Sequence, residues 1–159
     1  MDITGYIRRF RFLLYKIYSR IVYRFSDASK HDKSLLYKLK GSHAGKRAFI
    51  ICNGPSLRTE DLDRIANNGD LSFACNKIES ILKQTIWTPT YYAVFDETYQ
   101  YTLLDTINAI PARMKFFRNT SYCVTRKVQG DKVFVNADGS KKLLQDCKFS
   151  ENISEVIYT

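Results

Sequence analysis

No Cys-x-x-Cys pair occurs in the sequence, and its four cysteines, Cys52, Cys75, Cys123 and Cys147, stand 23, 48 and 24 residues apart. That spacing argues against a structural zinc site, which needs ligands paired at short intervals. Cys52 and Cys75 fall in apolar, strand-like runs, where a reduced cysteine packs as a small apolar side chain. The pattern fits a reducing, cytoplasmic setting. No apolar run approaches the roughly 18 residues of a membrane span. The N-terminus lacks the continuous apolar core and small-residue cleavage site of a signal peptide. Neither the G-x-G-x-x-G fingerprint nor the Walker loop is present. Histidine occurs only at His31 and His43, both in polar surroundings with no acid–base constellation, so both read as solvated loop residues.

Charge is present, but unevenly placed. Residues 1–47 hold 12 Lys/Arg and 3 Asp/Glu, whereas residues 48–159 hold 13 of each. The net charge of +9 therefore belongs to an N-terminal arm, and the body is neutral. A nucleic-acid binder carries its basic patch on the folded domain, with aromatic platforms between the charges. A neutral body argues against that class of partner.

Within the arm, residues 6–25 read YIRRFRFLLYKIYSRIVYRF and contain no acidic residue. Ile7, Phe10, Leu14, Ile17 and Ile21 recur at spacings of three and four, which predicts one apolar stripe on a helix. Arg8, Arg9, Arg11, Lys16, Arg20 and Arg24 take the remaining surface. A basic amphipathic helix with flanking aromatics suits an anionic membrane surface; the alternative is a helix docked on its own domain or on a partner subunit. Residues 27–45 are polar and basic and read as a linker, with one short helix over residues 34–40.

From residue 46 onward, apolar runs alternate with helical segments. Strands are predicted over residues 47–52, 71–75, 90–95 and 114–119. Helices are predicted from an N-cap at Thr59 through Ile65, over residues 77–84, and over residues 97–110, the last stopped by Pro111. Residues 132–139 read as a strand and turn, in a hairpin with residues 122–128. This alternation implies an α/β fold, a parallel sheet with helices on both faces. One-directional strands put their following loops on the same edge. Those loops begin at Asn53, Asn76 and Asp96, each a short polar residue directly after a buried strand.

The first loop, Asn53-Gly54-Pro55-Ser56, has the chemistry of a ligand loop. Glycine admits close backbone approach, and proline stiffens the turn and removes an N–H. Asn53 and Ser56 supply donors and acceptors near a helix N-terminus. Taken alone, Asn-Gly-Pro is a tight turn between strand and helix more often than a binding loop.

The combination FIICNGPSL, LSFACNKI and PTYYAVFD resembles the MptE-like (6-hydroxymethylpterin diphosphokinase-like) domain family and the related bacterial sialyltransferases of glycosyltransferase family 42. The likeness covers about residues 46–119. It implies a Rossmann-like, GT-A-like domain over residues 46–159, preceded by the basic helix of residues 1–26. It also implies that Asn53, Gly54, Pro55, Ser56, Asn76 and Asp96 hold a nucleotide or a CMP-sugar-like nucleotide-sugar. The sialyltransferases carry asparagine where this chain has Asp96, a departure toward the MptE-like branch, whose diphosphokinases use ATP and Mg²⁺.

In both groups the chain continues beyond the equivalent of Thr159 with the catalytic part. The expectation is therefore a truncated domain that lacks that part, so that its status as an enzyme stays open. On this reading the chain is the nucleotide-binding part of a surface-glycan glycosyltransferase-like protein, cytoplasmic and peripheral at the inner face of the plasma membrane. The alternatives are a diphosphokinase and a non-catalytic remnant or nucleotide-binding module.

Overall fold

The computed structural model describes residues 3–135. The turn expected after residue 135 and Cys147 lie outside the described residues. The elements in order are α1 (Ile3–Arg24), α2 (Asp27–Leu39), β1 (Ala48–Ile51), α3 (Thr59–Asn67), β2 (Leu71–Cys75), α4 (Glu79–Leu82) and β3 (Tyr91–Val94). Then come α5 (Glu97–Thr102), α6 (Leu104–Ala109), β4 (Met114–Arg118), a 3-10 turn (Asn119–Ser121), α7 (Tyr122–Thr125) and β5 (Lys132–Val135).

The strands form one all-parallel sheet in the order β1-β2-β3-β4-β5. The fold is α/β and Rossmann-like, as the alternating pattern requires. The order runs without reversal, so the described sheet has no topological switch point. Each strand sends one set of side chains to each face. On the first face Ile51, Ala74, Tyr92, Val94, Phe117 and Phe134 pack with Leu62 and Ile65 of α3, Tyr99, Ile107 and Tyr122. On the second, Tyr91, Ala93, Met114, Phe116, Val133 and Val135 meet Leu35, Leu36 and Leu39 of α2. That cover is incomplete toward β1, where Ile50 is 80% exposed.

Two buried polar side chains inside the first face, Ser72 and Lys115, are satisfied locally. The indole of Trp87 donates to Ser72 Oγ at 3.0 Å, and the same hydroxyl accepts from Thr90 N at 3.2 Å. The ammonium of Lys115, which points to this face from β4, donates to the carbonyls of Ile107 and Asn108 at 2.8 and 3.1 Å. It thereby caps the C-terminal end of α6. Burial, with Lys132 nearby, pushes its pKa down.

Several expected boundaries change, each for a local reason. The stretch read as a linker carries α2, 13 residues long, because Leu35, Leu36 and Leu39 have a sheet face to cover. His31 belongs to that helix, and His43 is half-buried with Nε2 2.6 Å from the Tyr91 hydroxyl, so neither is a solvated loop residue. The N-cap of α3 is Arg58, not Thr59, and Arg58 pairs with Asp61 through two contacts. Helix α4 begins only at Glu79, since Asn76 turns the chain first and Ile78 N bonds back to Asn76 O at 2.9 Å.

The helix expected over residues 97–110 breaks at Leu103 (φ −128°, ψ 42°). Thr102 Oγ1 donates to Thr98 O at 2.8 Å, a back-bond of the kind that bends helices. The expected hairpin is absent: residues 122–125 are helical, and β5 pairs parallel to β4.

Helix α1 docks along one face only. Ser19 is fully buried; its Oγ accepts from Cys123 N at 3.0 Å. Tyr23 stacks on Tyr122 and Phe134, and its hydroxyl lies 2.9 Å from Phe134 O and 3.1 Å from Asp32 Oδ2. Asp32 Oδ2 also accepts from Phe134 N at 2.9 Å, which ties α2 to the outer edge of β5. At about 100° per residue the docked side, centred near Ser19, lies roughly opposite the predicted apolar stripe. Ile7, Phe10, Leu14, Ile17 and Ile21 are accordingly all exposed, Phe10 at 61%.

Candidate functional site

The first strand ends at Ile51, and the chain turns at once. Leu57 N bonds to Gly54 O at 3.1 Å, closing a β-turn with Pro55 and Ser56 at its centre. Proline suits that first central position because its φ is already set. Gly54 has no positive φ, and a Cβ placed on it would meet only Ser56 Oγ, at 3.7 Å. The turn does not require glycine, so its absent side chain leaves open space beside the strand end.

The second strand ends at Cys75 and is followed by Asn76, whose φ of 47° is the one positive value among the described non-glycine residues. Asparagine tolerates this left-handed conformation better than most side chains. Its N–H continues the β2–β3 ladder to Ala93 O at 3.0 Å. Its Oδ1 accepts from Phe95 N at 3.3 Å and, at the limit of a hydrogen bond, from Asp96 N at 3.5 Å. Its carbonyl accepts from the Tyr92 hydroxyl at 2.6 Å. Burial, reinforced by Tyr99, raises the pKa of Tyr92, so that hydroxyl stays a donor.

Asn53 Nδ2 donates to Cys75 O at 2.9 Å, joining the end of β1 to that of β2. Asp96 Oδ1 accepts from Tyr99 N at 3.1 Å and caps α5. The three residues thus form one row across the carboxyl ends of β1, β2 and β3, Asn53 and Asn76 each bonded to the next strand end and Asp96 to its own helix. Asn53, Gly54, Pro55, Ser56 and Asp96 are exposed and Asn76 half-buried, so all the sequence-predicted residues share one edge of the sheet. These anchoring bonds engage Nδ2 of Asn53 and one oxygen each of Asn76 and Asp96. The opposite atoms, Asn53 Oδ1, Asn76 Nδ2 and Asp96 Oδ2, give a ligand an acceptor, a donor and an anionic acceptor in sequence. Cys75, beside this row, has its thiol pKa raised by burial and by neighbouring Cys52, so it stands there protonated.

Glu97, next to Asp96, points into a different network. Its carboxylate lies 2.7 Å from Lys16 Nζ on α1 and 3.6 Å from Arg118 on β4. The basic arm therefore runs beside the carboxyl edge of the sheet. Sequence reasoning placed neither Lys16 nor Arg118 near this edge. Ser19 was the available signal, since a small polar residue opposite an apolar helical stripe marks a close approach. Among the described residues there is no cluster of His, Cys, Asp and Glu able to hold a metal ion. None of the described helices is long and apolar enough to cross a membrane.

The fold and site define an α/β protein with a polar row at the carboxyl edge of its parallel sheet. Comparison with family models, curated proteins and solved structures finds no match to this chain.

Proposed function

We propose that the chain binds a nucleotide, as the donor-binding part of a glycosyltransferase-like protein of surface-glycan assembly, at the row formed by Asn53, Asn76 and Asp96. The observation that carries this reading is the placement of that row. Open α/β sheets bind ligands outside the carboxyl ends of their strands, at a switch point of strand order. The described sheet has no such point, so the reading rests on three successive ends that present complementary polar atoms on a fixed frame. Gly54 and the Pro55-Ser56 turn leave one side open for a ribose or phosphate. The resemblance to CMP-sugar transferases makes a cytidine nucleotide the first ligand to test. In the diphosphokinase alternative the ligand is ATP with Mg²⁺. Phosphoryl-transfer sites gather carboxylates around the metal, and Glu97 is already paired with Lys16 and Arg118. That pairing favours the nucleotide-sugar reading.

The exposed apolar stripe of α1, flanked by arginines and free of acidic residues, supports a peripheral position on an anionic membrane surface, with the carboxyl edge of the sheet close by. Calorimetric titration of CMP, CTP and ATP, each with and without Mg²⁺, tests the site. Metal-independent binding of CMP or CTP is expected, weakened about tenfold in Asn53→Ala, the loss of one good hydrogen bond to a charged or polar ligand group. Binding of ATP alone, and only with Mg²⁺, would select the diphosphokinase. No binding of any of them would remove the nucleotide reading.

A further inference from the structure

Two cysteines stand side by side at the carboxyl edge of the sheet. The β1–β2 register ends on the pair Ile51 and Ala74, so Cys52 and Cys75 stand opposite each other one residue further on. Side chains alternate between faces along a strand. Ile51 and Ala74 both pack on the first face, so Cys52 and Cys75 both belong to the second. Two bonds hold the chains together on either side of Cys52. The thiol of Cys75 donates to Ile51 O at 3.6 Å, and Asn53 Nδ2 donates to Cys75 O at 2.9 Å. Neighbouring strands lie about 4.8 Å apart, inside the roughly 4.4–6.8 Å between α-carbons that a disulfide spans. Cys52 is exposed and lies just past the end of β1, so its side chain has room to turn.

The two thiols differ in a way that sets an order of reaction. Cys52 is open to solvent, whereas Cys75 is half-buried and its pKa is raised, first by burial and then by Cys52. An exposed thiol meets an oxidant first, and one held protonated attacks slowly. Cys123, on α7, is half-buried and packs against the first face, away from the pair. In a reducing compartment a disulfide is transient and redox-sensing, not structural.

We propose that Cys52 and Cys75 are a reversible dithiol–disulfide pair, oxidised by a low-molecular-weight disulfide of the glutathione type, and that closing it weakens ligand binding at the polar row. The Cys52 thiol gives its proton to water, and its thiolate attacks the oxidant, forms a mixed S–S bond and expels one thiolate. Cys75 loses its proton to that thiolate, attacks the Cys52 sulfur and expels the second thiolate, which takes a proton back from water. The two protein thiols thus lose two electrons and two protons, and the oxidant gains them as two thiols. Closure draws the β-carbons from about the strand spacing of 4.8 Å to about 3.8 Å. Asn53, the next residue, moves with Cys52, and its free Oδ1 leaves the line of Asn76 and Asp96. The pair stands on the geometry of the two strand ends; its effect on a ligand rests on the nucleotide reading.

The test uses the whole chain with Cys123→Ser and Cys147→Ser, in which only the pair carries thiols. After incubation with oxidised glutathione, mass mapping of unreduced peptides should find Cys52 joined to Cys75, and dithiothreitol should reopen the bond. The parent chain, mapped the same way, gives the same reading if that background does not fold. With Cys75→Ser added, the glutathione adduct should persist on Cys52. With Cys52→Ser added, the adduct should form on Cys75 about tenfold more slowly, and equal rates would overturn the order of attack. Two free thiols after oxidation, or glutathione persisting on Cys52 beside an intact Cys75, would overturn the pair. Titration of CMP, CTP and ATP then compares the reduced and oxidised chains. Binding about tenfold weaker is expected on oxidation, the loss of one ligand hydrogen bond. Equal binding would overturn the effect on the row. If the reduced chain binds none of the three, the nucleotide reading fails and the effect on the row fails with it, while the mapped bond still supports or overturns the pair.

Discussion

Replacing Asp32 tests how the N-terminal helices are held to the sheet. Its Oδ2 accepts from Phe134 N at 2.9 Å and lies 3.1 Å from the Tyr23 hydroxyl, linking α2, β5 and α1 at one atom. In Asp32→Ala the Phe134 N–H loses its acceptor at a position only 3% exposed. That costs about 1–3 kcal/mol; Tyr23 adds little, because its hydroxyl keeps the Phe134 carbonyl at 2.9 Å. For a domain of this size the loss lowers Tm by about 3–10 °C. Asp32→Asn keeps an acceptor oxygen in place and removes only the charge.

The pH dependence separates the two contributions. Burial raises the Asp32 pKa above its ordinary value, outweighing the lowering by the Phe134 and Tyr23 hydrogen bonds and by His31. The native state then holds the proton more tightly than the unfolded chain does. That stabilisation is complete below the ordinary value of 3.8 and disappears as pH rises through the native pKa. Stability of Asp32→Asn minus that of the parent should therefore climb with pH and level off. Urea melts from about pH 4 to pH 8 measure this, in a His31→Gln background because His31 Nδ1 is 3.8 Å from the carboxylate. An Asp32→Ala chain as stable as the parent, or a flat difference curve, would refute the reasoning.

Trp87→Phe should cost about 2–4 kcal/mol in denaturant melts, from lost buried volume and from a Ser72 hydroxyl left without its indole donor. Leu62→Ala, in the fully buried face of α3, should cost about 2–5 kcal/mol by the same measurement. Lys115→Met should change the alkaline limb: the native pKa of Lys115 lies below 10.5, so the parent gains stability as pH rises through that native value toward 10.5 and the variant does not. Tyr92→Phe should lose about 1 kcal/mol below pH 10 through the missing bond to Asn76 O. That deficit should shrink above pH 10, where the parent must keep a buried phenol protonated.

The strands were legible because buried parallel strands are short apolar runs, and residues 48–51, 71–75 and 91–94 are such runs. The polar row was legible for a related reason: a side chain that must turn the chain and bind across a strand end has to be short and polar, as Asn53, Asn76 and Asp96 are. The stripe of α1 was equally plain, but the sequence could not say which way it faces. That depends on Ser19 meeting Cys123 and Tyr23 meeting Phe134, contacts about a hundred residues distant. Helix α2 was hidden because its three leucines look sparse until a sheet face exists to receive them. The break at Leu103 depends on a threonine back-bond, which competes with the helix only once its neighbours are fixed.

The contacts that hold the arm span almost the full described length: Tyr23 to Phe134 is 111 residues and Asp32 to Phe134 is 102. A ribosome adding about 5–20 residues per second needs about 5–20 s to make the second partner after the first. Throughout that interval Tyr23 lacks its partner on β5, although Glu97 and Cys123, which meet Lys16 and Ser19, are made earlier. Among the described elements α1 is made first, and its contact with β5 is secured last. If the arm favours anionic lipid, a nascent chain meets the bilayer before its sheet is complete. The sheet then closes against a helix already lying in the interface, and the order of synthesis fixes which side of the arm is left for the body.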